Sequence, residues 1–316
     1  MLKPRDVLLK YWGFSSFRSL QEEIIQEILT GKDTLALLPT GGGKSVCFQV
    51  PAMCMDGVCI VVSPLIALMK DQVNNLEQKG ISAVAIFSGM SKRLIDQTLD
   101  NCIYGNVKFL YVSPERLKTP IFIERVKKMK VNLWAIDEAH CISQWGYDFR
   151  PSYLQIAEVR ALHPDVPVLA LTATATPEVV EDIQEKLEFD TNNLKKKSFL
   201  RSNLSYSVLY EDAKYTKLVD ILQKVNGSAI VYVRNRRKTK EIADYLNQCK
   251  ISATHYHAGL GNEERSQRQE NWLKNKLRVI VATNAFGMGI DKPNVRVVVH
   301  VDLPESPEAY FQEAGR

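Results

Sequence analysis

The stretch TLALLPTGGGKS, residues 34–45, constrains this chain more than any other. An apolar run ends at a Pro-Thr turn, three glycines follow, and Lys44 and Ser45 open the helix-compatible segment VCFQVPAMC. Strand, glycine turn and helix in that order describe a phosphate-binding loop. Glycines let successive N–H groups turn inward around phosphate oxygens, because no Cβ blocks the approach. The following helix points its positive N-terminal end at the same anion. Thr40, Gly41, Gly42 and Gly43 would form the cradle. Lys44 would reach the terminal phosphates, and the Ser45 hydroxyl would ligate Mg²⁺. The strict motif wants Gly where Leu38 stands, so a glycine-rich turn with a stray Lys is the plain alternative.

The rest of the chain repeats the alternation of apolar run and polar-faced helix. Strand candidates are Thr34–Leu38, Val58–Ser63, Ala83–Phe87, Val107–Val112, Leu133–Ile136 and Val168–Thr172. After Lys195 the series restarts with Ala229–Val233, Ala253–Tyr256, Val279–Ala282 and Val295–His300. Runs this apolar are buried on both faces, as in a parallel sheet covered by helices. The expected fold is α/β, a doubly wound parallel sheet occurring twice, because 316 residues exceed one comfortable core. The expected domains are residues 1–200 and 201–316, linked through the polar stretch Leu194–Ser207. Lys195–Lys197 reads as a charged linker. Ligands of such sheets bind at the carboxyl ends of the strands.

Other function classes recede. No window approaches eighteen unbroken apolar residues, so no membrane span is indicated. The N-terminal MLKPRDVLLKYWGF lacks the apolar core of a secretory signal, which places the protein inside the cell. The six cysteines form no CxxC pair and no Cys/His spacing suited to zinc, so they are expected reduced and mostly buried. A net charge of +5 permits a polyanionic partner without demanding one.

LWAIDEAH, residues 133–140, supplies the second half of a nucleotide site. Asp137 and Glu138 emerge at the end of an apolar strand. One carboxylate of such a pair holds Mg²⁺, and the next aligns the water that attacks the γ-phosphate. Asp137 is assigned to the metal and Glu138 to the water. Acidic pairs are common on solvated loops. This one follows a buried strand and lies downstream of GGGKS.

GGGKS, DEAH, LALTATAT at 169–176 and VIVATNAFGMGIDKP at 279–293 resemble the ordered motifs of a superfamily 2 helicase. WGFSSFRSLQEEII at 12–25 and CISQWGYDFRPSY at 141–153 narrow the resemblance to the RecQ family of DNA helicases. It implies two tandem RecA-like domains, with Mg-ATP as cofactor and DNA as substrate. It also implies 3′–5′ movement along single-stranded DNA, which nothing in residue spacing shows. Within this resemblance Gln21 reads the adenine edge, and Phe14 and Arg18 sandwich the ring. Phe17 is expected to pack in a core. Gly287, Gly289 and Asp291 would line the cleft of the second domain over the same nucleotide, a Gly-rich turn being the bland alternative.

The motif YFQEAGR closes on Arg316. The RecQ pattern continues with a small residue and then Gly-Arg-Asp, whose arginine is usually held to be the arginine finger. Arg316 is the first arginine of that pair, and Gln312 would touch the γ-phosphate side. The resemblance therefore implies a second domain incomplete at its C-terminus, in a fragment of a longer protein.

The segment after DEAH carries Trp145, Tyr147, Phe149, Arg150 and Tyr153. Such aromatics either pack locally, the alternative held open for Tyr153, or present stacking faces to bases. Gln144, Trp145, Phe149 and Arg150 are expected to bind DNA or couple it to hydrolysis. His140 and Thr172, with Thr174, are expected to relay the nucleotide state, although strand-end hydroxyls often only satisfy a turn. Backbone contacts to DNA are expected at Ser63 with Lys70, at Ser88 and at Ser113. In the second domain they are expected at Arg234, with Arg236, Arg237 and Lys238, and at His257 and Thr283. The arginine cluster is equally a solvated helix face. The expected partner is single-stranded or partly duplex DNA, with no membrane and no zinc, acting on a monomer. An RNA-remodelling helicase and a catalytically incomplete, nucleotide-gated DNA-binding module are the competing readings.

Overall fold

The computed structural model describes the chain apart from Met1, Thr40, Tyr147, Phe199, Ser202 and residues 288–291, and describes only the backbone of Asn262. The chain divides into two compact units, Met1–Phe199 and Leu200–Arg316. Each is an α/β unit built on a parallel sheet, as the alternation of apolar runs and helices requires.

The first sheet contains β1 (Thr34–Leu37), β2 (Val58–Val62), β3 (Ala83–Ile86), β4 (Phe109–Val112), β5 (Val131–Ile136), β6 (Val168–Thr172) and β7 (Leu194–Lys196). Their spatial order is β3-β4-β2-β5-β6-β1-β7. Every ladder is parallel. Successive residues of a strand point to opposite faces. Trp134 and Ile136 accordingly enter the cluster on one face, with Leu35, Ile60 and Val112. Leu133 and Ala135 enter the other, with Ala36, Val61 and Phe109. Full burial of each Val, Leu or Ile contributes roughly 1.5–3 kcal/mol, which fixes the register of the central strands.

Strand β7 corrects the sequence reading. Leu194–Lys196 pairs in parallel with β1 rather than belonging to a linker. Its apolar content is slight, and it is held by polar contacts. Lys195 Nζ lies 2.6 Å from Glu23 and 3.2 Å from Glu27. Asn193 Nδ2 donates to the Asp33 carbonyl at 3.0 Å. Lys195 is therefore a structural cation on the sheet edge.

The second sheet has the order β11-β8-β10-β9, from β8 (Ser228–Tyr232), β9 (Ala253–Tyr256), β10 (Val279–Ala282) and β11 (Val295–His300). Its ladders are parallel as well. Helices Lys214–Lys224 and Arg236–Gln248 cover one face through Leu218, Leu222, Ile242 and Leu246. Trp272 and Phe286 pack on the other face, with Ile230, Tyr232 and Tyr256. All six cysteines are free, and only Cys249 is partly exposed. Among the described residues no helix is long and apolar enough to cross a membrane.

Candidate active site

The glycine loop runs from the end of β1 into helix Lys44–Cys54. Gly43 has φ +76°, a left-handed conformation that other residues adopt at a cost, and a Cβ there would collide with Gln21 Nε2. Gln21 Nε2 donates to the Gly43 carbonyl at 3.1 Å, and Gln21 Oε1 accepts from the Arg18 N–H at 2.8 Å. Arg18 Nη1 donates to the Gly41 carbonyl at 2.8 Å. One end of the Gln21 amide thus bonds the loop and the other the Arg18 backbone, each with one further donor or lone pair to offer. Phe14 is 52% exposed, which leaves its ring face open for stacking. Phe17 packs with Val7, Leu8 and Ile25. Lys44 Nζ lies 3.4 Å from the Leu38 carbonyl, folded over the loop it would serve. Thr40 lies outside the described residues.

Asp137 and Glu138 follow β5, which is separated from β1 by β6. Glu138 adopts φ 49°, a left-handed conformation of order 1–3 kcal/mol above the ordinary wells. Its carboxylate is buried, and Oε2 has no hydrogen-bond donor. A buried oxygen without a donor is poised to accept from a water. Asp137 Oδ1 accepts from the Glu138 N–H at 3.0 Å, and Oδ2 accepts from the Ser63 hydroxyl at 3.5 Å. Burial, and then the Glu138 charge, raise the Asp137 carboxyl above its usual range, while Lys44 opposes the shift.

The residues present fit a magnesium ion. Among the described residues no group of three or more His, Cys, Asp or Glu side chains could hold a metal. Magnesium needs no such cage, because substrate phosphates and waters complete its octahedron around one or two protein ligands. Asp137 and the Ser45 hydroxyl are suited to that role. Ser45 Oγ accepts from Gln72 Nε2 at 3.3 Å. Gln72 carries little signal in the sequence, where it is an amide on a helix whose other residues are mostly apolar or charged.

The strand end at β6 ties the two halves together. The Thr172 carbonyl accepts from the Leu38 N–H at 3.1 Å, at the root of the glycine loop. The Thr172 hydroxyl lies 2.9 Å from His140 Nδ1 and 3.0 Å from the Thr174 carbonyl. The Thr172 hydroxyl also accepts from the Thr174 N–H at 3.3 Å, and the tautomer of the imidazole decides which partner donates in the Thr172–His140 bond. The same Nδ1 lies 3.4 Å from Glu138 Oε2. Burial lowers the His140 pKa against the opposing charge of Glu138.

The aromatic segment departs from the same strand end. Tyr153 is fully buried, and its hydroxyl donates to the Asp137 carbonyl at 2.9 Å. Arg150 donates to Asp148 at 2.9 Å and to the Pro64 carbonyl at 3.2 Å, so it braces the loop against the segment after β2. Trp145 is 79% exposed and Gln144 is exposed, while Phe149 is half-buried. Ser88 is exposed on its loop, whereas Ser63 and Ser113 are buried. Ser63 turns its hydroxyl to Asp137, toward the carboxylates rather than to an outside strand.

Comparison with known proteins follows this geometry. Residues 18–183 match the model of the family described as DEAD/DEAH box helicase, and residues 213–316 match the helicase conserved C-terminal domain. The chain belongs to the DEAD/DEAH box helicase family. It is 44% identical over 312 residues to the ATP-dependent DNA helicase RecQ of Pasteurella multocida (strain Pm70), covering 98% of this chain and 49% of that protein. It is 44% identical over 317 residues to RecQ of Bacillus subtilis (strain 168), covering 99% and 54% respectively. The chain thus spans about half the length of the curated relatives it matches. Its fold is that of S. cerevisiae Dbp5 bound to RNA and ADP BeF3, with a TM-score of 0.78 at 20% identity, covering 100% of this chain and 84% of that one. The two sheets are RecA-like, and the whole is a superfamily 2 helicase core.

The second unit of this helicase core carries its own strand-end residues. Arg234 is exposed, and its N–H donates to Asp302 at 3.2 Å. Lys238 pairs with the same carboxylate at 3.1 Å. Arg236, Arg237 and Lys240 line a cavity of about 440 Å³ with Glu241, Asp244, His255 and His257, so the cluster's cations stand among carboxylates. His257 Nδ1 is buried without a hydrogen-bond partner. Thr283 is buried at the end of β10. Gly287 has φ +116°, and a Cβ there would strike the Tyr232 hydroxyl, so its close approach is to a side chain of its own unit. Gln312 is buried on helix Pro307–Ala314. Arg316 is half-buried. Gly289 and Asp291 lie outside the described residues.

Proposed function

We propose that this chain is the motor of an ATP-dependent DNA helicase. It couples Mg-ATP hydrolysis to 3′–5′ movement along single-stranded DNA and to unwinding of duplex. One contact supports the coupling most directly: the Tyr153 hydroxyl on the Asp137 carbonyl. Through it the carboxylates suited to hydrolysis and the loop bearing exposed Trp145 share one anchor.

In this reading the loop N–H groups and the N-terminus of helix Lys44–Cys54 hold the phosphates, and Lys44 neutralises their terminal charge. Ser45 and Asp137 hold Mg²⁺, which supplies charge neutralisation on the transferring phosphoryl group when bound. Glu138 Oε2 accepts from the attacking water, oriented through His140 and Thr172. Gln312, Arg316, Gly287 and Asp291 are the second unit's candidates for contact with the nucleotide. A base stacks on Trp145, with Gln144, Phe149 and Arg150 shaping the loop. Ser88 and Arg234, His257 and Thr283 hold phosphates of the strand. ATP and its products favour different conformations, and only a grip on DNA that differs between them gives net movement. DNA as substrate rests on likeness to RecQ DNA helicases, and the 3′–5′ sense on the resemblance carried by the sequence motifs. A monomer suffices for this cycle.

The test is steady-state ATP hydrolysis with no nucleic acid, with single-stranded DNA and with RNA of equal length. The reading expects strong stimulation by DNA and little by RNA. Equal stimulation by RNA contradicts the substrate. ATP binding without turnover at saturating DNA reduces the chain to a nucleotide-gated binding module.

A further inference from the structure

Both groups suited to holding the metal are hydrogen-bonded to one segment of chain. Ser63, at the end of β2, donates to Asp137 Oδ2 at 3.5 Å. Gln72, on helix Ile66–Glu77 that follows directly, donates to Ser45 Oγ at 3.3 Å. The Gln72 contact does not stand alone. Gln72 Oε1 accepts from Gln49 Nε2 at 3.1 Å, and the same Nε2 lies 3.4 Å from the Tyr111 hydroxyl. Gln49 sits one helical turn after Ser45 and therefore on the same face of its helix. Gln49 is 4% exposed and Tyr111 2% exposed, so the chain Ser45–Gln72–Gln49–Tyr111 runs from the loop into the sheet.

With Gln49 and Tyr111 buried and Gln72 half-buried, the members of this chain stay paired with one another, because a buried polar group left unpaired is costly. Its end is the Ser45 hydroxyl, which has one proton and two lone pairs. One lone pair receives the Gln72 amide, and the other stays open. A hydroxyl that gives a lone pair to a cation becomes a stronger donor and a poorer acceptor. The Gln72 amide carries a donor and an acceptor side by side, so it meets either state when it and the Gln49 amide turn together about their last bonds. An apolar side chain meets neither, and a carboxylate meets only the metal-loaded one.

We propose that Gln72 is a positioning residue for the magnesium site. It orients the Ser45 hydroxyl and ties metal occupancy to the segment 63–72. The proposal rests on the assignment of Ser45 and Asp137 to magnesium made under the proposed function. Partners that orient metal ligands typically change metal affinity by about 10–100-fold when removed.

The experiment is binding of a fluorescent, non-hydrolysable ATP analogue to the full chain, titrated with MgCl₂ and repeated in EDTA. The variants are Gln72→Leu and Gln72→Glu. Gln72→Leu is expected to raise the half-saturating Mg²⁺ concentration about tenfold. Its affinity for the analogue in EDTA stays at the wild-type value, because the glycine loop and Lys44 are untouched. Gln72→Glu keeps an acceptor for the Ser45 proton and is expected to need no more Mg²⁺ than wild type. A merely structural role would weaken binding equally with and without Mg²⁺, and that result overturns the proposal. A Mg²⁺ requirement unchanged in Gln72→Leu also overturns it, with the metal assignment intact. A wild type whose binding ignores Mg²⁺ overturns both.

Discussion

His140 Nδ1 lies 2.9 Å from the Thr172 hydroxyl, joining the ends of β5 and β6 beside Asp137 and Glu138. The hydroxyl also bonds the Thr174 carbonyl at 3.0 Å, and Glu138 Oε2 lies 3.4 Å from the same imidazole nitrogen. One threonine thereby orients the histidine that stands beside Glu138.

Thr172→Val keeps the side-chain shape and removes the hydroxyl that bonds His140 and Thr174. Losing such buried hydrogen bonds costs about 1–3 kcal/mol, so the thermal midpoint of Thr172→Val should fall while Thr172→Ser stays near wild type. Turnover should fall in Thr172→Val with little change in ATP affinity. A valine variant with normal turnover would remove Thr172 from the relay.

Asp137→Asn separates stability from activity. The Asp137 carboxyl is raised above its ordinary pKa by burial and by Glu138, so its ionised form burdens the folded state at pH 8. A raised folded pKa means that this burden is present at high pH and disappears as pH falls and the folded group takes up its proton. Asparagine is neutral throughout. The variant should therefore lack hydrolysis yet melt above wild type at pH 8, with the difference shrinking as the pH is lowered. Differential scanning calorimetry across that range checks the sign.

Gly43→Ala meets two obstacles, the left-handed φ of +76° and the collision with Gln21 Nε2. Gly80 has φ +73° with nothing near its Cβ position, so Gly80→Ala carries the backbone strain alone. Disturbing the loop by 1.4 kcal/mol is worth about tenfold in nucleotide affinity. Gly43→Ala should lose at least that much in an ATP-analogue titration, and Gly80→Ala should lose none.

Trp145→Ala removes an exposed stacking face without touching the Tyr153 anchor. Stacking contributes roughly 1–3 kcal/mol per base, so affinity for single-stranded DNA should fall several-fold or more. Stimulation of hydrolysis should fall further than affinity, measured at saturating DNA, with basal turnover unchanged. Full stimulation at saturation would make the loop a grip without a reporting role.

The central strands were legible because burial on both faces leaves no room for polar residues. Val168–Thr172 and Val279–Ala282, interior strands buried along their whole length, occupy the segments read from sequence. Strand β7 was hidden because Leu194–Lys196 is an edge strand held by Lys195 on Glu23 and Glu27, contacts that no local pattern carries. The phosphate loop and the acidic pair were legible for a different reason: their chemistry demands particular residues in an unbroken run. Gln72, Gln49 and Thr172–His140 join positions far apart in the chain, and the side to which Ser63 turns depends on the strand next to it.

The most direct measurement is ATP turnover at saturating single-stranded DNA for wild type and Lys44→Ala, each with ATP-analogue binding measured alongside. The account predicts DNA-stimulated turnover in wild type and its loss to background in the variant. Stimulated turnover persisting in Lys44→Ala would place hydrolysis away from the glycine loop and contradict the account.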